Sequence, residues 1–255
     1  MSAEASASQT AATWPVGTGR VVLSEVDTTN AEAARRAAAG EGAQWILGLS
    51  QTAGRGRRGR PWVSPPGNFY GTLLMKPTGG PAEAALRSFI AALALRDALV
   101  ALTGSDAGIG LKWPNDVLVN GGKISGILLE GLPGGWLAVG IGVNLISAPD
   151  VSAVEPGATR PVSVLSETGQ RFTPEDLLDR LAPAFARYEA LFRAYGFAPV
   201  REAWLAGAVR IGSEITARTG RETHSGIFRS IDATGALILE TASGRIAIPA
   251  ADIYF

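Results

Sequence analysis

The segment Gly54-Arg55-Gly56-Arg57-Arg58-Gly59 most restricts what this chain can fold into. Its spacing is that of G-x-G-x-x-G, the turn that opens a helix in doubly wound dinucleotide-binding folds. The residues that follow, Arg60-Pro61-Trp62-Val63-Ser64-Pro65-Pro66-Gly67, cannot continue a helix, because three prolines remove amide donors and clash with a preceding turn. That fold also needs an acid about 20 residues further on to hold a ribose. No Asp or Glu lies between Glu41 and Glu83. A nicotinamide-type Rossmann fold is therefore excluded, and another architecture must carry the loop.

The loop is electrostatically one-sided. The 41 positions between those glutamates hold five positive charges and no negative one, with four arginines inside residues 55–60. Like charges repel and glycines add chain entropy, so loop 54–67 is expected to be poorly ordered until a ligand anion arrives. Backbone N–H groups and guanidinium forks then match phosphate or carboxylate. The competing reading of this segment is a solvated basic loop or an RNA-binding patch. Over the whole chain Lys+Arg 23 balances Asp+Glu 23, and the sequence pI is about 6.6. A general polyanion binder, a DNA binder or a membrane-surface protein is disfavoured. With no cysteine, a thiol nucleophile, a disulfide frame and a thiolate metal site are excluded, and a single histidine, His224, argues against a His-ligated metal. No metal site is assigned. Of the basic residues 20 are Arg and only three are Lys (Lys76, Lys112, Lys123), which makes each lysine informative.

Residues 1–19 read as a disordered polar leader without the basic and apolar regions of a signal peptide. Apolar runs such as Phe89–Leu95 fall short of the roughly 20 residues that span a bilayer, so the expectation is a soluble, cytoplasmic protein. Strands are expected at Val21–Val26, Trp45–Leu49 and Asn68–Met75, then around Gly110–Trp113, Val117–Val119, Ile124–Leu129 and Leu137–Val143. Helices are expected over Glu32–Ala39, with Thr29 and Glu32 spaced as a capping box, and over Pro81–Leu102, Pro174–Ala194 and Val200–Ala206. Ser147–Pro161, rich in Pro, Gly and Ala, reads as a loop. From residue 207 the pattern changes to short β-type runs separated by glycine turns, a small antiparallel barrel that must lean on the main domain.

A second constellation sits at a strand end: Lys112-Trp113-Pro114-Asn115-Asp116, followed by Gly122-Lys123-Ile124-Ser125-Gly126-Ile127-Leu128. Gly126 inside an otherwise β-branched run implies close approach by another backbone or a ligand. Taken with DTTN (27–30), QTAGRGRRGRPW (51–62) and GIGVN (140–144), these segments closely resemble the biotin protein ligases, the BirA-type biotin–[acetyl-CoA-carboxylase] ligase family. The resemblance covers about residues 20–255. It implies an α+β fold: a class II synthetase-like biotin–lipoate ligase catalytic domain over 20–206, with a mixed β-sheet and helices, then an SH3-like barrel over 207–255.

The resemblance also implies the family's reaction. Biotin and ATP, with Mg²⁺, give biotinyl-5′-AMP and pyrophosphate, and the biotinyl group then passes to a lysine of a biotin carboxyl carrier protein domain. By the same resemblance Thr28, Thr29, Asn30, Gln51, Gly54, Arg55, Gly56, Arg57, Trp62, Lys112 and Gly126 contact biotin. Arg57, Arg60, Lys112 and Asn144 contact the nucleotide, with Lys112 and Arg57 as the catalytic pair. Asp116 reads as a turn residue rather than a base. Two departures from the family pattern stand out. No N-terminal helix-turn-helix is expected ahead of the first strand, and Ser147–Pro161 lacks the aromatic that stacks on adenine in bifunctional members. The nearest alternative is a lipoate or octanoate ligase of the same fold. A homodimer is compatible with the sequence, which does not set the oligomeric state.

Overall fold

The computed structural model describes residues 13–155, 157–220 and 222–255. The leader expected over 1–19 lies largely outside the described residues. Its described end is part of the folded body: Trp14 Nε1 donates to Thr18 O at 2.7 Å, and its ring packs against the core.

In chain order the first domain runs β1 (Gly19–Leu23), α1 (Thr29–Ala38), β2 (Gln44–Gly48), β3 (Phe69–Met75), α2 (Pro81–Ala85) and α3 (Arg87–Thr103). It continues with β4 (Ile109–Lys112), β5 (Asp116–Val119), β6 (Gly122–Lys123), β7 (Ser125–Leu132) and β8 (Trp136–Val143). Helices α4 (Val164–Thr168), α5 (Pro174–Tyr195) and α6 (Phe197–Gly207) complete it. The main sheet is ordered β1-β2-β3-β8-β7, parallel between β1 and β2 and antiparallel elsewhere. Both faces are covered, which is why its strands read as nearly unbroken apolar runs. Alternation still sorts them. Trp45 and Leu47 join the large core built with α3 and α5, while Ile46 turns to the opposite face against Ala33 of α1, Leu74 and Ala138. Trp45 meets Phe185 of α5 edge to face at 6.0 Å.

Several elements differ from the sequence reading. The long helix expected over 81–102 is interrupted at Leu86, where i→i+3 bonds tighten the turn. There Arg87, fully buried, turns inward to Glu83 O and to the Glu189 carboxylate. Strands β4, β5 and β6, whose sheet the sequence did not assign, form a three-stranded sheet of their own.

The C-terminal segment holds β9 (Glu214–Arg218), β10 (Thr223–Ile231), β11 (Leu237–Thr241), β12 (Gly244–Ile248) and β13 (Asp252–Tyr254). They form an antiparallel sheet in the order β12-β11-β10-β9-β13. Among the described residues β12 and β13 end the sheet without pairing to each other, so the expected barrel is an open five-stranded sheet by hydrogen bonding. It leans on the first domain through the Gly235 turn, whose carbonyl accepts from Trp113 Nε1 at 2.9 Å. A Cβ at Gly235 would lie 2.7 Å from Phe89 Cε2, so glycine is what lets the two domains touch there.

Candidate active site

At the start of α1 the residue in extended conformation is Thr28, and its hydroxyl accepts from Ala31 N. The cap is thus one residue earlier than the Thr29–Glu32 box expected from spacing. Glu32 instead pairs with Arg35 and Arg36, each at 2.8 Å. Asp27 is held just outside the helix by Arg35, whose hydrogen bonds bring its carboxyl down to about 2 against the opposing effect of burial. With Thr28 occupied as the cap, Thr29 and Asn30 are free to point at the sheet. Thr29 N donates to Gln51 Oε1 at 2.9 Å, and the Gln51 amide reaches Ser64 at 3.0 Å.

The arginine loop is a small hairpin. Gly56 N donates to Arg60 O and Trp62 N to Gly54 O, with Arg55 bridged to Pro61. Its tip turns through left-handed conformations at Arg58 (φ 57°) and Gly59 (φ 72°). The expectation that this loop lacks a counter-charge holds only locally. Asp252 of β13 pairs with Arg58 and, at 2.8 Å, with Arg60. Burial would raise the Asp252 carboxyl, but the hydrogen bond from Arg60 and the nearby charges of Arg60, Arg58 and Arg57 hold it below the usual carboxylate range. Glu155 adds a second carboxylate 3.5 Å from Arg60. Arg57 turns the other way, to Asn115 Oδ1 at 3.2 Å, and Asn115 is anchored by its own amide on Ile127 O at 2.6 Å. Burial lowers the Arg57 pKa, opposed by the carboxylates of Asp116 and Asp252.

Trp62 closes the hairpin against the sheet. Gly126 of β7 and Gly142 of β8 are register partners, and Cβ atoms there would lie 3.3 Å and 2.8 Å from the Trp62 indole. The paired glycines are the seat of this ring. Beside it, Lys112 at the end of β4 is 7% exposed, donates to Thr159 Oγ1 at 2.6 Å and lies 4.7 Å from the Phe255 ring. Burial pushes its ammonium pKa down. Lys123 pairs with Asp116 at 2.8 Å across the β5–β6 turn, which gives Asp116 a partner as well as a turn role. Asn144, at the end of β8, is buried and donates to Val162 O at 3.1 Å.

These groups surround one cavity of about 610 Å³. Its wall includes Thr28, Thr29, Asn30, Gln51, Arg55, Gly56, Arg57, Arg60, Trp62, Lys112, Gly126 and Asn144. Gly54 is not part of the wall. A Cβ there would lie 2.3 Å from Trp62 O and 2.5 Å from Ser64 Oγ, so Gly54 serves the crossing of the loop's two strands. The wall also contains residues to which the sequence reading gave no site role: Lys123, Asn115, Glu130, Glu155, Asp252 and Tyr254. Lys123 had a signal, since it is one of three lysines and stands in the quoted GKISGIL segment. Asp252 and Tyr254 had none, because only the packing of β13 brings them within reach of a loop some 190 residues earlier in sequence. The cavity joins a polar end at Thr29, Asn30 and Gln51, with the Glu130 carboxylate bonded to Asn30, to a cationic middle at Arg57, Lys112 and Lys123. That arrangement suits a long ligand with a neutral polar head and an anionic tail.

A mixed sheet with an arginine hairpin over such a cavity, followed by a small antiparallel sheet, defines the biotin/lipoate ligase class. The Biotin/lipoate A/B protein ligase family matches residues 19–145, and the Biotin protein ligase C terminal domain matches residues 211–255. The chain is 57% identical over 238 residues to a biotin–[acetyl-CoA-carboxylase] ligase of Paracoccus denitrificans, covering 92% of this chain and 99% of that one. It is 32% identical over 225 residues to the bifunctional ligase/repressor BirA of Escherichia coli (strain K12), covering 86% of this chain and 68% of that one. The biotin protein ligase of Aquifex aeolicus in complex with biotin and ATP shares the fold, with a TM-score of 0.81 at 24% identity over 92% of this chain and 97% of that one. The Leishmania major biotin protein ligase in complex with biotinyl-5-AMP gives a TM-score of 0.63 at 26% identity, over 92% of this chain and 100% of that one. The chain belongs to the biotin protein ligase family.

Proposed function

We propose that this chain activates biotin with ATP and transfers it to one lysine of a biotin carboxyl carrier protein domain. The observation that carries the reading is the cavity's sequence of chemistries, a hydrogen-bonding polar end followed by a cluster of fixed cations. A biotin carboxylate oxygen attacks the α-phosphorus of ATP, and pyrophosphate leaves as biotinyl-5′-AMP forms. The acceptor amine then attacks the acyl carbon, AMP leaves, and an amide results. The first step brings two anions together and builds charge on non-bridging oxygens. Lys112, buried in the wall, with Lys123 and Arg57 offset that charge from positions already held by protein partners, so little must reorganise. Thr28, Thr29, Asn30 and Gln51 hold the ring system, and Trp62 over Gly126 packs its apolar side. Arg55, Gly56 and Arg57 cover the carboxylate–phosphate junction, and Arg60 and Asn144 serve the nucleotide side.

Magnesium is read as part of the nucleotide substrate. Among the described residues no group of three or more His, Cys, Asp or Glu side chains is placed to hold a metal, so phosphate oxygens and water would complete its shell. No helix among the described residues is long and apolar enough to cross a membrane. A reaction that uses ATP and a carboxylase acceptor fits the cytoplasm. A lipoate or octanoate ligase would leave the polar end of the cavity unmatched, which favours biotin over that alternative. The test is mass spectrometry of a biotin carboxyl carrier domain incubated with the protein, ATP and biotin. One biotinyl group on one lysine, dependent on ATP, is the expected result, and lipoyl transfer at a comparable rate would overturn it.

A further inference from the structure

The polar end of the cavity contains a chain of hydrogen bonds whose direction is fixed by a carboxylate that no role above uses. Glu130 on β7 lines the cavity, and its Oε2 accepts from Asn30 Nδ2 at 2.6 Å. The other acceptor near that nitrogen is Leu128 O at 3.4 Å. Neither partner has a proton to give, so the Asn30 amide has only one possible orientation, with Oδ1 turned toward Thr72. Gly140 makes room for it: Thr72, Gly140 and Leu128 lie side by side across β3, β8 and β7, and a Cβ at Gly140 would sit 2.3 Å from Asn30 Oδ1.

Direction then propagates by counting protons. Thr72 Oγ1 is fully buried and lies 2.7 Å from Asn30 Oδ1 and 2.7 Å from Thr29 Oγ1. A hydroxyl has one proton. Asn30 Oδ1 can only accept, so the Thr72 proton goes there, and the Thr72–Thr29 contact takes its proton from Thr29. The longer 3.3 Å approach of Thr29 Oγ1 to Gln51 Oε1 is left without it. Thr29, which lines the cavity, is therefore left with its Oγ1 as an acceptor. Gln51 is oriented independently, because its Oε1 accepts from Thr29 N and its Nε2 donates to Ser64 Oγ. Its second N–H makes no protein bond among the described residues. The end of the cavity thus offers one acceptor and one donor side by side.

We propose that Glu130 is a positioning and specificity residue: through Asn30 and Thr72 it commits the Thr29 hydroxyl to accept, so that the cavity selects a ligand whose head group presents an N–H beside a carbonyl, as a cyclic urea does. This rests on the biotin reading given above. An acyl chain or dithiolane ring has no N–H to meet Thr29 and would leave buried polar groups unpaired, the situation that produces strong discrimination.

The experiment measures KM for biotin and for ATP by pyrophosphate exchange in the parent and in Glu130→Leu, Glu130→Gln and Thr72→Val. It is repeated with a biotin analogue whose ureido nitrogens are methylated. Glu130→Leu and Thr72→Val are expected to raise KM for biotin at least tenfold with KM for ATP unchanged, and to lose that penalty with the methylated analogue. Glu130→Gln keeps an acceptor oxygen for Asn30 and should stay within a few-fold of the parent. A Glu130→Leu variant that weakens biotin and the methylated analogue equally, or that raises both KM values together, would show a structural role and overturn the proposal. An unchanged KM for biotin would overturn it too. A parent that supports no biotin-dependent exchange would instead overturn the biotin reading, so the two failures are distinct.

Discussion

Lys112 and Asp27 show how differently a charged side chain is used in the cavity wall and outside it. Lys112 is enclosed by Thr159 and the Phe255 ring, and burial lowers its pKa, so its charge is costly to keep and strong when an anion arrives. Its enclosure fits a compact ammonium on a flexible stem better than a broad guanidinium. Loss of a charge that acts mainly in the transition state costs about 3–4 kcal/mol, or roughly 10²–10³ in rate. Lys112→Ala is expected to fold, bind biotin and lose adenylation by about that factor, and Lys112→Arg is expected not to restore it. Pyrophosphate exchange at saturating biotin reads this step alone, and a Lys112→Arg variant within a few-fold of the parent would defeat the steric argument. Asp27 is half exposed and serves structure. Its pKa is lowered by folding to about 2, so the folded state binds its proton less readily than the unfolded chain. Its contribution is therefore present above about pH 4 and lost as pH falls toward 2. Solvent screening limits it to under about 1 kcal/mol. Acid unfolding of Asp27→Asn should show a shallower loss over that window, and an unchanged acid limb would count against the pairing.

At the scale of elements, sequence pattern is most informative where one rule acts alone. The apolar strands expected at Trp45–Leu49 and Leu137–Val143, the helix from Pro174 and the glycine turn at Gly235 follow from local propensity and burial, and they appear within a residue of where the pattern puts them. Patterning fails where a tertiary partner decides. The expected capping box is absent and the cap falls on Thr28, because Thr29 is drawn to Gln51 and Thr72. The three-residue β13 carries no periodic signal, yet it supplies Asp252. The break at Leu86 belongs with Arg87, whose role cannot be seen without Glu189 on α5. That pair is a buried ion pair: Arg87 is fully enclosed, lies 4.3 Å from the centre of the Phe192 ring and binds Glu189 at 2.8 Å. Removing one partner strands the other charge, which typically costs about 3–5 kcal/mol. Arg87→Ala is expected to lose that much stability in urea unfolding. Arg87→Met combined with Glu189→Leu should lose markedly less, because no buried charge is left unpaired. Equal losses would show that packing, not charge, sets the cost.

The molecule as a whole is joined through the arginine hairpin. Its own segment holds no acid, and the C-terminal sheet provides one from β13, so the closed loop depends on how the two domains meet. Asp252 lies against Arg58 and Arg60, while Arg57 is left pointing into the cavity with Asn115 as its partner. Of the loop's four arginines, Arg58 and Arg60 thus pair with the C-terminal sheet, while Arg57 lines the cavity on Asn115. Arg57→Gly is accordingly expected to keep much of its adenylation but to release biotinyl-AMP, labelling lysines indiscriminately; labelling confined to the carrier lysine would count against its covering role. Asp252→Asn tests the other half. It removes the counter-charge of Arg58 and Arg60 while leaving Lys112 and the Arg57–Asn115 bond in place, and a pair of this exposure is worth about 1 kcal/mol, roughly a factor of five in loop opening. Without ligands, tryptic cleavage at residues 55–60 should speed up by about that factor relative to the parent. With biotin and ATP the difference should shrink, because the adenylate phosphate then supplies the negative charge that Asp252 no longer does. Cleavage that is equally fast in both proteins without ligands would mean that the hairpin is held by its backbone bonds alone. The C-terminal sheet would then have no part in keeping it closed.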